Sequence, residues 1–172
     1  LVQGRTWGID MNVAVLTNVT HEHLDYHKTM EEYRHAKELL FTQLGNSWKG
    51  QSGKVAVLNK DDETYASYSQ ITPAEVISYS IKDQTADFFA EDIRFNSSGT
   101  HFNLVVLGES YLVHTNLVGE YNVSNALAAL AAVYAVGVPL EKAVTLINGL
   151  EVVEGRLQPM KHTDGYDVYV DY

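Results

Sequence analysis

Four ionisable side chains alternate along the chain directly after the apolar run at residues 13–16. They are His21, His23, Asp25 and His27. In an extended loop, alternate side chains point to the same side, so these four groups would lie together. Imidazole and carboxylate groups at this density suit a divalent cation. The pattern therefore predicts a metal-binding loop.

A lysine lies on the apolar side of the helix predicted after this loop. The helix begins at Thr29, because Thr29 and Glu32 form a capping box. At 100° per residue, Lys37 falls within the apolar arc of this helix. Two interpretations remain open: the amine reaches solvent past buried methylene groups, or it faces the site made by the loop, neutralised or modified. The arc consists of Met30, Tyr33, Leu40, Phe41 and Leu44.

Three apolar runs, separated by helix patterns, predict the sheet that positions the loop. The runs cover residues 13–16, 54–59 and 75–80. Short apolar runs without alternation are typical of parallel strands that are covered on both faces. The loop would then lie at the carboxyl end of a strand, where open α/β sheets bind ligands.

After residue 83 the pattern changes to shorter strands. The expected strands cover 88–95, 101–106 and 111–115, separated by turn signals that predict a small antiparallel meander. An alanine-rich helix then runs to Gly137, followed by a helix at 140–150 and a last strand at 165–172. The expected fold class is α/β, with a mainly parallel sheet flanked by helices and a small antiparallel meander.

Two pairs of polar residues in this fold have a structural and a functional interpretation. Asp61 and Asp62 suit either metal ligation or the cap of a helix at residues 63–69, and the cap is the better interpretation. Asn122 and Asn125 lie on one face of the alanine-rich helix. They suit either a cap and a neighbouring loop or recognition of an adenine edge. Spacing alone favours the structural interpretation of both pairs.

Composition and charge argue against several classes of partner. The chain has 172 residues, 45% of them hydrophobic and 20% charged, and a formal net charge of −10. This acidity argues against nucleic acid or an anionic membrane, and no apolar run approaches the length of a membrane span. The sequence contains no cysteine, which excludes thiol catalysis and fits a cytoplasmic protein. We expect a globular monomer.

The stretch from Thr17 to Phe41 resembles the central-domain signature of the Mur ligases. It reads T-N-x-x-x-x-H-L-D-Y-H-x-T-M-E-x-Y-x-x-A-K-x-x-L-F, and it is most similar to the MurE type. The resemblance implies that His23 and Lys37 bind Mg²⁺, with Lys37 carbamylated by carbon dioxide. A carbamate would turn a buried cation into an oxygen ligand for this hard metal. Glu22 replaces the usual aspartate before the histidine, which is a conservative change.

Further segments resemble the parts of these ligases that contact ATP. Residues 119–129 match the pattern G-x-[FY]-N-x-x-N-A-x-A-A. The resemblance therefore implies that Asn122 and Asn125 lie near the nucleotide. Arg156, in a G-R pair, corresponds to an arginine that reaches the ATP ribose and phosphates. Asp171, in the string V-D-Y, corresponds to an aspartate that contacts the ribose.

The ligases of this family use ATP to form an amide bond. ATP phosphorylates a substrate carboxylate to an acyl phosphate, which an amine then attacks, and Mg²⁺ neutralises the charge between the two anions. The resemblance implies UDP-MurNAc-L-Ala-D-Glu as substrate, with lysine or diaminopimelate as the amino acid. Gln3 and Arg5 match a Q-x-R string that touches the UDP-muramoyl substrate, and an arginine fork suits phosphate or carboxylate.

The phosphate-binding pattern G-x-x-x-x-G-K-[ST] does not occur in the 172 residues. Its nearest match, Gly53-Lys54, is interpreted as a turn. The resemblance implies a partial central domain at 1–160 and the start of a C-terminal ligase domain at 161–172. The P-loop is then expected upstream, and the chain alone is expected to be inactive. The alternatives are another Mur or folylpolyglutamate-type ligase, and a non-catalytic domain that binds a nucleotide or metal.

Overall fold

A six-stranded sheet with helices on both faces forms the framework of the chain. The computed structural model describes residues 8–20, 29–44, 53–96, 99–150, 158–160 and 168–170. The elements are β1 (Val13–Leu16), α1 (Met30–Gln43), β2 (Val55–Asn59), α2 (Tyr65–Ile71), β3 (Glu75–Ser80), β4 (Phe88–Asn96), β5 (Gly99–Val106), β6 (Glu109–Thr115), α3 (Glu120–Ala135), α4 (Leu140–Asn148), β7 (Gln158–Met160) and β8 (Val168–Val170). The sheet has the order β1-β2-β3-β4-β5-β6, and β7 pairs with β8 separately.

The sheet changes from parallel to antiparallel at β4. Strands β1 to β4 pair in parallel, whereas β4, β5 and β6 form an antiparallel meander. Leu107 and Gly108 make the two-residue turn between β5 and β6, with φ angles of 52° and 83°. Positive φ at both positions is typical of the hairpin turn whose twist matches the flanking strands. The predicted fold class, a mainly parallel sheet with a small meander, is confirmed.

Strand β2 separates two hydrophobic cores because its side chains alternate between the two faces of the sheet. Val55 and Val57 pack into the core formed with α3 and α4, whereas Ala56 and Leu58 pack into the core formed with α1 and α2. All five residues of β2 are buried. A strand covered on both faces has no polar side, which explains the apolar run without alternation.

The first two helices begin at caps of different kinds. The Glu32 amide donates to Thr29 Oγ1 at 3.2 Å, so the predicted start of α1 is confirmed. Helix α2 begins two residues later than predicted, since Asp62 does not cap its first turn. The Thr64 amide and hydroxyl both donate to Asp62 Oδ1, at 2.9 and 2.5 Å. This local turn places Thr64 at the N-cap instead.

The last helices lie over the sheet and along its β6 edge. Helix α3 ends at Ala135, and Gly137 follows with a φ of 85°, a conformation typical of a helix end. The His114 amide of β6 donates to Asn148 Oδ1 at 2.8 Å. The end of α4 thus occupies a backbone donor that an edge strand would otherwise expose. No helix in the described ranges is both long and apolar enough to cross a membrane.

The carboxyl-terminal hairpin was predicted only in part. The strand expected at 165–172 contains β8, at Val168–Val170, but its antiparallel partner β7 was missed. Strand β7 has three residues and includes Pro159, so it carries no alternating pattern. The hairpin spans the domain boundary expected after residue 160, and that boundary stays a prediction.

Two buried tyrosines make the fold sensitive to high pH. Burial raises the pKa of Tyr68 to about 12, and burial also raises the pKa of Tyr79. Because the folded state holds these protons more tightly than the unfolded state, the stabilisation from both tyrosines is complete below pH 10, and that from Tyr68 is lost as the pH rises through about 12. We expect the free energy of unfolding, measured by urea denaturation, to fall over this range.

The Tyr68→Phe protein should show a smaller fall in stability between pH 10 and 12 than the wild type. Tyr121 is half exposed, and Tyr121→Phe serves as the matched control. An equal pH dependence in wild type and Tyr68→Phe would contradict the assignment.

Candidate active site

Two polar side chains at the carboxyl end of β2 hold the loop that follows β1. Asn59 Nδ2 donates to the Thr17 carbonyl at 2.7 Å, and the Val19 amide donates to the Asp62 carboxylate at 2.8 Å. Asn59 and Val19 are buried, so water competes little for these bonds. The loop therefore leaves the sheet along a fixed path, at the edge where this kind of fold binds ligands.

Tyr79 joins the same loop to the start of α3. Its hydroxyl donates to the Leu16 carbonyl at 2.9 Å, and the neighbouring Ser124 side chain acts to lower the pKa of this hydroxyl. Tyr79 is fully buried. Ser124 lies between Asn122 and Asn125 in the sequence. The structure thus brings the two stretches that the sequence singled out to one end of the parallel sheet.

Lys37 is exposed on α1. Its Nζ lies 5.4 Å from the centroid of the Tyr33 ring, a cation–π distance. Tyr33 and Phe41, on the same arc, are buried, while the amine between them reaches solvent. The exposed side chain agrees with the first interpretation, in which the amine reaches solvent past the apolar arc, and a buried cation at this position is not observed. Its role as a metal ligand stays a prediction.

The two asparagines of α3 differ in their surroundings. Asn122 is 6% exposed, and its Nδ2 donates to the Val118 carbonyl at 2.9 Å. It ties the segment before the helix to the first turn, whereas the N-cap itself is Gly119. The predicted cap role of Asn122 is wrong in this respect, since its amide donates to a preceding carbonyl. Asn125 is exposed. A contact of either residue with a nucleotide stays a prediction.

Asp61 and Asp62 bind backbone and hydroxyl groups of the protein. Asp61 accepts from the Ser80 hydroxyl at 2.5 Å and from the Ile81 amide at 2.9 Å. Asp62 reaches Val19, 43 residues earlier. The predicted cap role of the pair is wrong, because the N-cap of α2 is Thr64 and the two carboxylates bind the segments that follow β1 and end β3 instead. The signal for these contacts is a run of polar residues at the end of a buried strand, and it includes Asn59, the last residue of β2, whose role was not predicted.

Five of the predicted site residues lie outside the described residues. They are Gln3, Arg5, His23, Arg156 and Asp171. The rest of the predicted metal loop, with His21, Asp25 and His27, also lies outside them. Within the described ranges, no group of three or more His, Cys, Asp or Glu side chains is placed to hold a metal ion. The metal loop stays a prediction.

Known proteins similar to this chain are ligases. The family model described as "Mur ligase middle domain" matches residues 1–133. A UDP-N-acetylmuramoyl-L-alanyl-D-glutamate–2,6-diaminopimelate ligase of Bacillus cereus is 49% identical over 98% of this chain and 34% of that protein. A ligase of the same name from Halalkalibacterium halodurans is 45% identical over the whole chain and 35% of that protein.

Solved structures of such ligases have the same fold. The structure of a UDP-N-acetylmuramoyl-L-alanyl-D-glutamate–2,6-diaminopimelate ligase has a TM-score of 0.80 at 34% identity, over 95% of this chain and 33% of that one. MurF from Acinetobacter baumannii also has a TM-score of 0.80, at 24% identity, which shows likeness of fold alone. The chain spans about a third of the length of these relatives. Because the family model covers more than half of its residues, this chain belongs to the Mur ligase family, as part of the middle domain.

Proposed function

We propose that this chain is part of the ATP-binding domain of a ligase that adds diaminopimelate to UDP-MurNAc-L-Ala-D-Glu. One observation carries the proposal beyond similarity. Tyr79 bonds the Leu16 carbonyl and has Ser124 as a neighbour, so the start of the loop that leads to His23 lies near the start of α3. A metal loop and a nucleotide-binding helix would have to lie close together for Mg²⁺ to neutralise the charge between ATP and the carboxylate.

The proposed ligands of Mg²⁺ are His23 and a carbamate on Lys37. The described residues fit this role, since Lys37 is exposed to dissolved carbon dioxide and no described carboxylate forms a salt bridge with it. A carbamate oxygen is a suitable ligand for a hard cation. When bound, Mg²⁺ would neutralise the negative charge that otherwise keeps phosphate and carboxylate apart.

The proposed nucleotide contacts come from α3 and from the end of the chain. Asn125 presents an exposed amide, which can donate and accept at an adenine edge, and Ala129 one turn later is exposed and small. Asn122, Arg156 and Asp171 are proposed as its neighbours. We further propose that the middle domain ends near residue 160 and that 161–172 begin the next domain.

The substrate side of the site is proposed to include the amino-terminal segment. Gln3 and Arg5 would contact the UDP-muramoyl group, for which an arginine fork is suited. The ATP and UDP-linked substrates, together with a chain that contains no cysteine, support a cytoplasmic location. We propose that the ligase acts there as a monomer.

The test is amide-bond synthesis by the full-length protein that contains this chain. With UDP-MurNAc-L-Ala-D-Glu, ATP and Mg²⁺, we expect phosphate release that depends on diaminopimelate. The same assay with lysine is the matched comparison, and a reaction without the UDP-linked substrate is the blank. ATP binding without phosphate release under any of these conditions would instead indicate a non-catalytic nucleotide-binding protein.

A further inference from the structure

We propose that Asp62, together with Asn59, positions the loop that leads to His23, without touching substrate itself. The inference rests on the proposed function, in which that loop supplies a ligand of Mg²⁺. Asp62 and Asn59 lie on the neighbouring strand's carboxyl end, more than 40 residues later in the sequence than the loop they hold. Their contacts are with the backbone of the loop, so they act on its path.

The carboxylate of Asp62 uses both of its oxygens. Oδ2 accepts from the Val19 amide at 2.8 Å, while Oδ1 accepts from the Thr64 amide and hydroxyl. Val19 and Thr64 are 8% and 4% exposed. An ionised carboxylate only accepts hydrogen bonds, so three donors fix its orientation. Asp62 therefore connects the start of α2 rigidly to the loop after β1.

Asn59 fixes the same loop two residues earlier. Its Nδ2 donates to the Thr17 carbonyl at 2.7 Å, and its Oδ1 accepts from the Asp61 amide at 3.0 Å. One end of the amide thus holds the loop, and the other end holds the turn that carries Asp62. Two anchors hold residues 17 and 19, and His23 follows in the sequence four residues beyond the second anchor. Four residues extend at most about 14 Å, so the anchor limits where the histidine can lie.

Asp61 provides a matched control. It is adjacent to Asp62, is also half-buried, and likewise accepts hydrogen bonds from backbone and hydroxyl donors, here one amide and one hydroxyl. Its partners are Ser80, the last residue of β3, and Ile81, which follows it. Asp61→Asn and Asp62→Asn therefore remove the same chemistry from the same turn, but only Asp62→Asn releases the loop of the proposed metal site.

The experiment measures the Mg²⁺ concentration for half-maximal phosphate release in the full-length protein. For Asp62→Asn we expect this concentration to rise about tenfold and kcat to fall about tenfold, because small displacements of a reacting group are costly. For Asp61→Asn we expect a lower thermal midpoint with an unchanged Mg²⁺ dependence. In hydrogen exchange, the Val19 amide should be protected in wild type and in Asp61→Asn and should exchange faster in Asp62→Asn.

Equal Mg²⁺ dependence of the two aspartate variants would overturn the positioning role. If Asp62→Asn does not fold, Asn59→Ser takes its place, because it removes the donor to Thr17 and keeps both aspartates. An unchanged Mg²⁺ dependence in that variant would also overturn the role. An inactive wild-type protein would overturn the proposed function itself. The two failures can be distinguished, because the positioning role of Asp62 can be overturned only when the wild-type protein is active.

Discussion

Replacing Lys37 with alanine should lower amino-acid-dependent phosphate release by the full-length protein at least about 100-fold. The carbamate on Lys37 is proposed to hold Mg²⁺, and metal stabilisation of developing charge contributes several kcal/mol, with about 1.4 kcal/mol for each tenfold in rate. Lys37 is exposed, so its removal should change the free energy of unfolding by less than about 0.5 kcal/mol. This variant should therefore lose most of its activity while its stability stays close to that of the wild type.

Chemical rescue distinguishes a carbamate from an ordinary lysine. A short-chain carboxylate added to Lys37→Ala should restore part of the activity, since it supplies the missing oxygen ligand. Lys37→Arg should stay inactive in the same buffer, because a guanidinium keeps its charge. Lys142 on α4 is also exposed, and Lys142→Ala is the matched control with wild-type activity expected. Normal activity of Lys37→Ala would show that Lys37 is only a surface residue beside Tyr33.

The fold was predictable where local pattern and tertiary environment agree. Strand β2 is buried on both faces, so its sequence carries the signal of its surroundings, and its observed bounds fall within one residue of the prediction. Helix α1 begins at an N-cap, Thr29, whose bond to Glu32 involves sequence neighbours only. Strand β7 was not predicted because three residues that include a proline show no alternating pattern, and they form a strand only by pairing with β8.

The candidate site was less predictable because its contacts join distant residues. Sequence pattern located the loop after β1 and the start of α3, but it did not show that Tyr79 connects them. Lys37 shows the opposite limit. Its place on the apolar arc suggested burial, yet a lysine has enough methylene groups to carry its amine out of that arc. Periodicity predicts the direction in which a Cβ atom points, but it does not determine where the end of a long side chain lies.

Lys54 shows most clearly that contacts with distant residues cannot be predicted from local sequence. In the sequence, Gly53-Lys54 stands out only as a partial match to the phosphate-loop pattern, and its composition predicts a turn. The turn is confirmed, with a φ of 80° at Gly53. The lysine, however, is 5% exposed, and its Nζ donates to groups of Asp10, Met11 and Asn12. These partners lie 42 to 44 residues earlier, so no local pattern reveals them.

Lys54→Met should lower the free energy of unfolding by about 3 kcal/mol. The ammonium donates to Asp10 Oδ1, the Met11 carbonyl and Asn12 Oδ1 at 2.5, 2.8 and 3.0 Å, which uses all three of its donors. Methionine has a similar length but donates nothing, so the segment before β1 loses its attachment to β2. The Asp10 side chain is 39% exposed and can regain water, which keeps the loss at the lower end of the range for a broken buried pair.

Urea denaturation at pH 7 measures this loss, with Lys142→Met as the matched control because that lysine is exposed. In the double variant, the losses of unfolding free energy caused by Lys54→Met and Asp10→Asn should not add, since each change removes the same ion pair. Full additivity, or a Lys54→Met protein as stable as wild type, would contradict the account. In that case the start of β1 would be held by its backbone pairing with β2, such as the Val55 amide to the Asn12 carbonyl at 2.9 Å, without help from the lysine.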